Sequence, residues 1–160
     1  ILFEQDGRAC IDRDIIIDGV VKEYFINTYM SGKMGMEATS DTANRPVLLP
    51  FVNGNPGLTE ALRKGEGILE RDGILNICGD GILVTGFNGG NCNAATGEFS
   101  YGVEGFEFKD GQIARPIESM LITGDMVSLW NSLIAAGTDP MAGMSRQIPT
   151  LAFSDISFNS

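Results

Sequence analysis

The sequence predicts an α+β fold dominated by β-structure: a strongly bent, mostly antiparallel sheet, barrel-like, with one or two helices packed on it. Three observations carry this. Two Asp-Gly dipeptides, Asp18-Gly19 and Asp110-Gly111, each stand between segments rich in β-branched and aromatic residues. Glycines recur through the middle of the chain, where they weaken helices and let strands bend. Only one stretch, from Asp125 onward, combines an N-cap with helical spacing of apolar side chains.

The elements follow in order. Ile11 to Ile17 and Val20 to Thr28 read as a hairpin about Asp18-Gly19, its second arm continuing to Tyr29. Ser31 to Arg45 is polar and reads as a mobile loop. Pro46 to Phe51 reads as a short edge strand bracketed by prolines, and Asn53 to Gly57 as a turn. Thr59 to Ile77 predicts two short helical pieces, because Gly65, Gly67 and Gly73 interrupt its apolar stripe. Gly81 to Gly86 reads as a short buried strand.

Val103 to Phe108 and Gln112 to Ile117 form the second expected hairpin, with Phe106 and Phe108 on one face and Glu104 breaking the alternation. The clearest helix starts at the N-cap Asp125. It places Met126, Leu129, Trp130, Leu133 and Ile134 on one stripe and ends with Gly137 as the C′ residue before Pro140. Thr150 to Phe158 is the last strand. Leu151, Phe153, Ile156 and Phe158 share a face only if a bulge sits at Ser154-Asp155.

Composition restricts the chemistry. The formal net charge is −10, with no basic run, so a nucleic-acid phosphate backbone is not an expected partner. No apolar run approaches the ~20 residues of a membrane span. Three cysteines, Cys10, Cys78 and Cys92, do not make a disulfide framework and fit a reducing cytoplasm. There is no histidine, which removes Ser-His and Cys-His dyads and any His-ligated zinc from this chain. The sequence reads as a single domain, 1–160. Because it opens on Ile1-Leu2-Phe3, it is expected to be the C-terminal piece of a longer polypeptide.

The polar stretch from Gly86 to Gly102 is the main candidate site. As a phosphate cradle it lacks the Lys-Ser/Thr pair of a P-loop, and a strand rather than a helix is expected after it. Cys92 as a nucleophile lacks a histidine base. Asp12-Arg13-Asp14 begins like a calcium loop, but Ile16 and the missing Gly-x5-Glu end the match. Asp80 reads as a turn residue. Two readings remain for the glycines Gly97, Gly102 and Gly105: an exposed strand edge that accepts an extended peptide, or simple sheet curvature. On the first, Asn88, Gly89, Gly90, Asn91, Asn93, Thr96, Gly97 and Gly102 are the peptide-contact candidates. Replacing Gly97 or Gly102 by Val would then impair peptide cleavage while leaving the fold intact.

Several of these stretches also match a known pattern. They are Gly81-Ile82-Leu83-Val84-Thr85, the Asn/Gly loop, Thr96-Gly97-Glu98-Phe99-Ser100-Tyr101-Gly102, Gly105-Phe106 and the Asp110-Gly111 turn. Arg115-Pro116-Ile117-Glu118, Asp12-Arg13, Asp18-Gly19-Val20, Asn27-Thr28-Tyr29 and Ala136-Gly137-Thr138-Asp139 join them. Together they resemble the C-terminal domain of the TldD/PmbA family. The resemblance implies two-subunit, cytoplasmic zinc metalloproteases that cut unfolded peptides, also known as modulators of DNA gyrase and linked to maturation of a peptide antibiotic.

In the family the TldD subunit carries a His-Glu-x-x-x-His helix in its N-terminal part and a cysteine ligand near its C-terminus. The PmbA (TldE) subunit lacks the metal motif and helps enclose the site. Here the cysteine position falls near Gln147-Ile148-Pro149, and no cysteine follows Cys92. The resemblance therefore points to a PmbA/TldE-like, non-catalytic chain with no cofactor of its own. Zinc would sit in a TldD-like partner, or the chain would pair as a homodimer. A standalone β-rich binding module without a protease partner is the other reading, and a carboxylate-based hydrolase working alone is a third.

Overall fold

The computed structural model describes residues 2–117 and 119–159. Glu118, at the end of the Arg115–Glu118 stretch, lies outside them, as do Ile1 and Ser160. The chain forms two compact units, Ile1–Pro46 and Val47–Ser160.

In the first unit the Asp18-Gly19 turn forms as expected. Asp18 (φ 50°) and Gly19 (φ 76°) both take the left-handed conformation that a two-residue hairpin turn requires. The strands are far shorter than expected: β1 is Ile16–Ile17 and β2 is Val20–Val21. The expected strand out to Tyr29 is corrected to a helix, α1, Thr28–Met34. The same helix takes up the start of the expected Ser31–Arg45 loop. The Asn27 side chain caps α1 by accepting from the Met30 N–H at 2.9 Å, and Gly35 (φ 67°) closes it in the left-handed conformation. These two end signals outweigh the breaker residues Ser31 and Gly32 inside. Arg8 pairs with Glu4 and Asp6. Thr28 and Arg8 hydrogen-bond the Asp6 carboxylate, which lowers its pKa to about 2. Ile26 is the one buried apolar residue of this unit among the described residues.

The second unit contains two sheets. A three-stranded sheet has the order β3 (Phe51–Val52), β8 (Leu133–Ala136), β9 (Leu151–Phe153). Helices α2 (Pro56–Arg63) and α3 (Arg71–Cys78) form the two pieces expected between Thr59 and Ile77, although α2 begins inside the expected 53–57 turn. The Asn55 side chain caps α2, with Pro56 in its first turn. Leu62 and Leu69 pack with Ile74, Ala135 and Ala152 to make the core. Of the expected Pro46–Phe51 edge strand only Phe51 pairs as a strand, together with Val52 beyond it. It does lie at an edge.

The larger sheet has the order β10 (Phe158–Asn159), β7 (Met120–Asp125), β5 (Glu98–Lys109), β4 (Gly81–Cys92), with β6 (Gln112–Pro116) also paired to β5. Every strand ladder is antiparallel. The Asp110 (φ 47°)–Gly111 (φ 72°) turn joins β5 to β6, as expected. Phe108 is buried and Glu104 exposed. The sheet is bent at several register shifts but does not close, so barrel-like is corrected to two open sheets. Four helices, rather than one or two, are present among the described residues.

Two further expectations change. Asp125 does cap the clearest helix, accepting from the Ser128 N–H at 2.9 Å, but α4 runs only over Met126–Asn131. Leu133 and Ile134 belong instead to β8, the central strand of the smaller sheet, where ladders on both sides outweigh helical spacing. Gly137 is therefore not a helix cap. It is buried, and an added Cβ would lie 2.7 Å from the Leu69 carbonyl oxygen. The expected final strand divides at Ser154-Asp155, where Asp155 has φ 57°. β9 stays in one sheet and β10 enters the other.

Candidate functional site

The β4–β5 hairpin carries all eight candidate residues, and it separates them into three places. The expected short strand, Gly81–Gly86, is corrected to a twelve-residue strand that runs on to Cys92. Ile82, Leu83 and Val84 are half-buried, while Phe87 and Asn88 to Asn91 are exposed. Asn88, Gly89, Gly90 and Asn91 thus lie on a strand and not in a loop. The strand reaches this length because its pairing with β5 tolerates register shifts between Val84 and Gly86 and between Phe87 and Gly90. Gly89 (φ 79°) and Gly90 (φ 117°) adopt the backbone that the second shift needs.

Asn93, Thr96 and Gly97 form the hairpin's end. The Gly97 N–H donates to the Asn93 carbonyl at 2.7 Å, and the Asn93 N–H donates to the Glu98 carbonyl at 2.8 Å. The Asn93 side chain accepts from the Ala95 N–H at 2.9 Å, and the Thr96 hydroxyl donates to the Glu98 carboxylate at 3.2 Å. The amide and hydroxyl here close the turn. The Gly97 carbonyl accepts from the Met126 N–H at 2.9 Å and lies 3.9 Å from the Cys92 Sγ.

Gly102 is in the interior of β5, which is paired with β4 on one side and with β7 and β6 on the other. The expectation that Gly97, Gly102 and Gly105 mark an exposed edge is corrected. These positions sit on or beside a central strand, whose backbone is already engaged. An added Cβ at Gly105 would lie 1.9 Å from the Leu83 carbonyl oxygen, and one at Gly102 would lie 2.8 Å from the Asn88 carbonyl oxygen. The glycines at 102 and 105 serve close packing of β4 on β5. A Val at Gly102 would force the two strands apart, so it would not leave the fold intact.

The free edge lies one strand further out. β4 is the last strand of its sheet among the described residues. Of the candidates, Asn88 to Asn91 therefore lie on an open edge.

Sequence reasoning missed Glu104. It stands opposite Gly86 in the ladder, and its carboxylate reaches across the space a Cβ at Gly86 would fill, with Oε1 2.5 Å from that position. Its Oε2 accepts from the Asn88 Nδ2 at 3.3 Å. The carboxylate thus lies over β4 itself. The signal was present in the chain: the one strand residue that broke the hairpin's alternation stands opposite a glycine. Phe87, also missed, is exposed and packs edge-on against Tyr101, with ring centroids 5.6 Å apart.

No group of three or more His, Cys, Asp or Glu side chains gathers into a metal-binding arrangement among the described residues. Asp12 and Asp14 are exposed, and Asp80 accepts from the Asp110 N–H at 2.8 Å to brace the β5–β6 turn. All three cysteines are free thiols. Burial pushes the Cys78 thiol pKa up, the wrong direction for a thiolate ligand or nucleophile. In the Gln147-Ile148-Pro149 stretch, Gln147 makes a parallel bridge to Val47, and its side chain donates to the Met144 carbonyl. These residues do not fit the zinc that the resemblance implies. No helix among the described residues is long and apolar enough to cross a membrane.

Comparison with known proteins shows the family. The model of the family described as "PmbA/TldA metallopeptidase C-terminal domain" matches residues 1–160. Metalloprotease PmbA of Escherichia coli O157:H7 is 27% identical over 137 residues, covering 86% of this chain and 27% of that protein. A PmbA homolog of Haemophilus influenzae is 28% identical over 137 residues, covering 86% and 28%.

Among solved structures, a Bacteroides thetaiotaomicron protein named for modulation of DNA gyrase superposes with a TM-score of 0.79 at 38% identity, covering 99% of this chain and 33% of that one. TldE of Thermococcus kodakarensis has a TM-score of 0.74 at 17% identity, a likeness of fold, covering 100% and 36%. This chain spans about a quarter to a third of the length of these relatives.

Proposed function

Since this chain belongs to the PmbA/TldA metallopeptidase family as its C-terminal domain, we propose that it serves in a PmbA/TldE-like, non-catalytic subunit of a zinc-metalloprotease complex that cleaves unfolded peptides. Its role is that of a scaffold that presents a peptide-contact surface. The observation that carries this reading is the ligand chemistry. A zinc site of the family's kind needs a cysteine from this part of the protein. The family's cysteine position falls near Gln147-Ile148-Pro149, where Gln147 is held by backbone and side-chain hydrogen bonds, and no cysteine follows Cys92. Similarity to chains named PmbA supports the same choice of subunit type.

The contact surface is the outer edge of β4 around Asn88 to Asn91. An unpaired edge offers alternating N–H and C=O groups that an extended peptide can satisfy as an added strand. Cleavage itself would belong to a TldD-like partner that holds the metal, and the site of action would be the cytoplasm.

The test is to co-express the intact protein with a TldD-type subunit from the same genome and measure zinc content and cleavage of an unfolded peptide. Stoichiometric zinc is expected to follow the TldD-type subunit, and cleavage is expected only when both subunits are present. Zinc-dependent cleavage by this protein alone would overturn the reading.

A further inference from the structure

We propose that the β4 edge selects basic extended peptides, with Glu104 as the residue that reads a Lys or Arg of the bound segment. This rests on the peptide-contact reading above and adds the chemical class of the peptide.

The argument starts from charge. Between Arg71 and Lys109 the chain contains no basic residue, while Asp72, Asp80, Glu98, Glu104 and Glu107 are all acidic. The β4–β5 hairpin occupies most of this interval, so its only basic residue is Lys109 at the last position of β5, and the part around the candidate residues presents one sign of charge only. Glu107 is neutralised by Arg115 and Lys109, at the end of β5 away from the candidate residues. Glu104 forms no ion pair among the described residues. Its carboxylate has a neutral amide, Asn88, as its hydrogen-bond partner.

The second step is position. Gly86 leaves the surface of β4 open, and Glu104 lies across the gap. A strand added outside β4 would pass close to this carboxylate, where a side chain on the same face of the sheet can meet it. β4 itself contains no charge and no proline, the usual guards of an exposed edge. Its protection comes from the register shifts alone, which divide the edge into short stretches. Such an edge suits a short extended segment. A second copy of the chain is the poorer occupant, because it brings the same base-free β4 edge and a net charge of −10 against its own kind.

The probes are short fluorescein-labelled peptides of alternating Thr and Val with a central Lys, Gln or Glu, titrated against the intact protein by fluorescence anisotropy. The Lys peptide is expected to bind roughly two- to five-fold tighter than the Gln peptide, as an exposed ion pair allows, and the Glu peptide more weakly still. High salt should compress this order. Glu104→Gln should abolish the Lys preference, bringing the Lys and Gln peptides to equal affinity. N-methylation along one edge of the Lys peptide should remove binding, and methylation along the other should not.

Equal affinity for the three peptides overturns the charge selection while leaving the peptide-contact reading standing. Tight binding that ignores N-methylation, or no binding of any probe, overturns the strand-addition site itself. A dimer that dissociates on Phe87→Lys, with no peptide bound, assigns the edge to a second copy and also overturns it.

Discussion

Replacing Gly105 by Ala tests most directly whether these glycines are packing residues. The new Cβ would lie 1.9 Å from the Leu83 carbonyl oxygen and 3.1 Å from the Val84 Cα. Both are backbone atoms of β4, so no side chain can rotate away. The strands must separate locally by more than 1 Å to restore an ordinary contact, on the order of the ~3.3 Å seen for close C···O approaches. That disturbs the ladder at the Val84/Gly105 and Leu83/Phe106 pairs. Two weakened hydrogen bonds cost about 1 kcal/mol each, and overpacking adds about 1–3 kcal/mol.

The gain from a less flexible unfolded chain offsets about 0.4–1 kcal/mol. The net loss is about 3 kcal/mol, or roughly 6–12 °C in Tm for a chain of this size. Thermal unfolding followed by circular dichroism measures it. Gly102→Ala, with a 2.8 Å approach to the Asn88 carbonyl oxygen, should give a smaller loss of about 1–2 kcal/mol. A Gly105→Ala protein that melts within 2 °C of the parent would refute the packing argument and restore the uncovered-backbone reading of these glycines.

Asp139 should behave as a staple of the second unit. Its carboxylate accepts from the Thr150 N–H (2.9 Å), the Thr150 hydroxyl (2.7 Å) and the Arg71 N–H (3.0 Å). Asp139→Ala is expected to cost about 2 kcal/mol in thermal unfolding, since the exposed Arg71 N–H can turn to water. Burial pushes the Asp139 pKa up, but the Thr150 and Arg71 hydrogen bonds outweigh it and hold the pKa below its ordinary value. Its contribution is therefore present above about pH 4 and is lost as pH falls through the folded-state pKa. Asp139→Asn should show a shallower fall in Tm below that pH than the parent.

In the first unit, Gly32 lies inside α1 with no atom within 4 Å of an added Cβ and without a positive φ. Gly32→Ala should stabilise that helix by about 0.5–1 kcal/mol, read as slower hydrogen exchange of its amides.

The sequence by itself determined what depends on a few adjacent residues. Asp18-Gly19 and Asp110-Gly111 adopt the left-handed turn conformation because Asp and Gly tolerate it, whatever lies beyond them. Asp125 caps α4 because its own side chain reaches the N–H three residues on. The missing histidines bounded the chemistry without any coordinates.

The tertiary structure decided what depends on distant partners. Leu133 and Ile134 have helical spacing, yet they are strand because β3 and β9 supply backbone partners on both sides. The two halves of the final segment enter different sheets because their partners, β8 and β7, lie in different sheets. The candidate site followed the same division. The Asn/Gly composition of residues 88–91 was legible. That β5 is central and β4 is the open edge was not, because which side of a strand remains unpaired is set by segments far away in the chain. Glu104 joined the site only when the ladder register placed it opposite Gly86, a pairing no local pattern specifies.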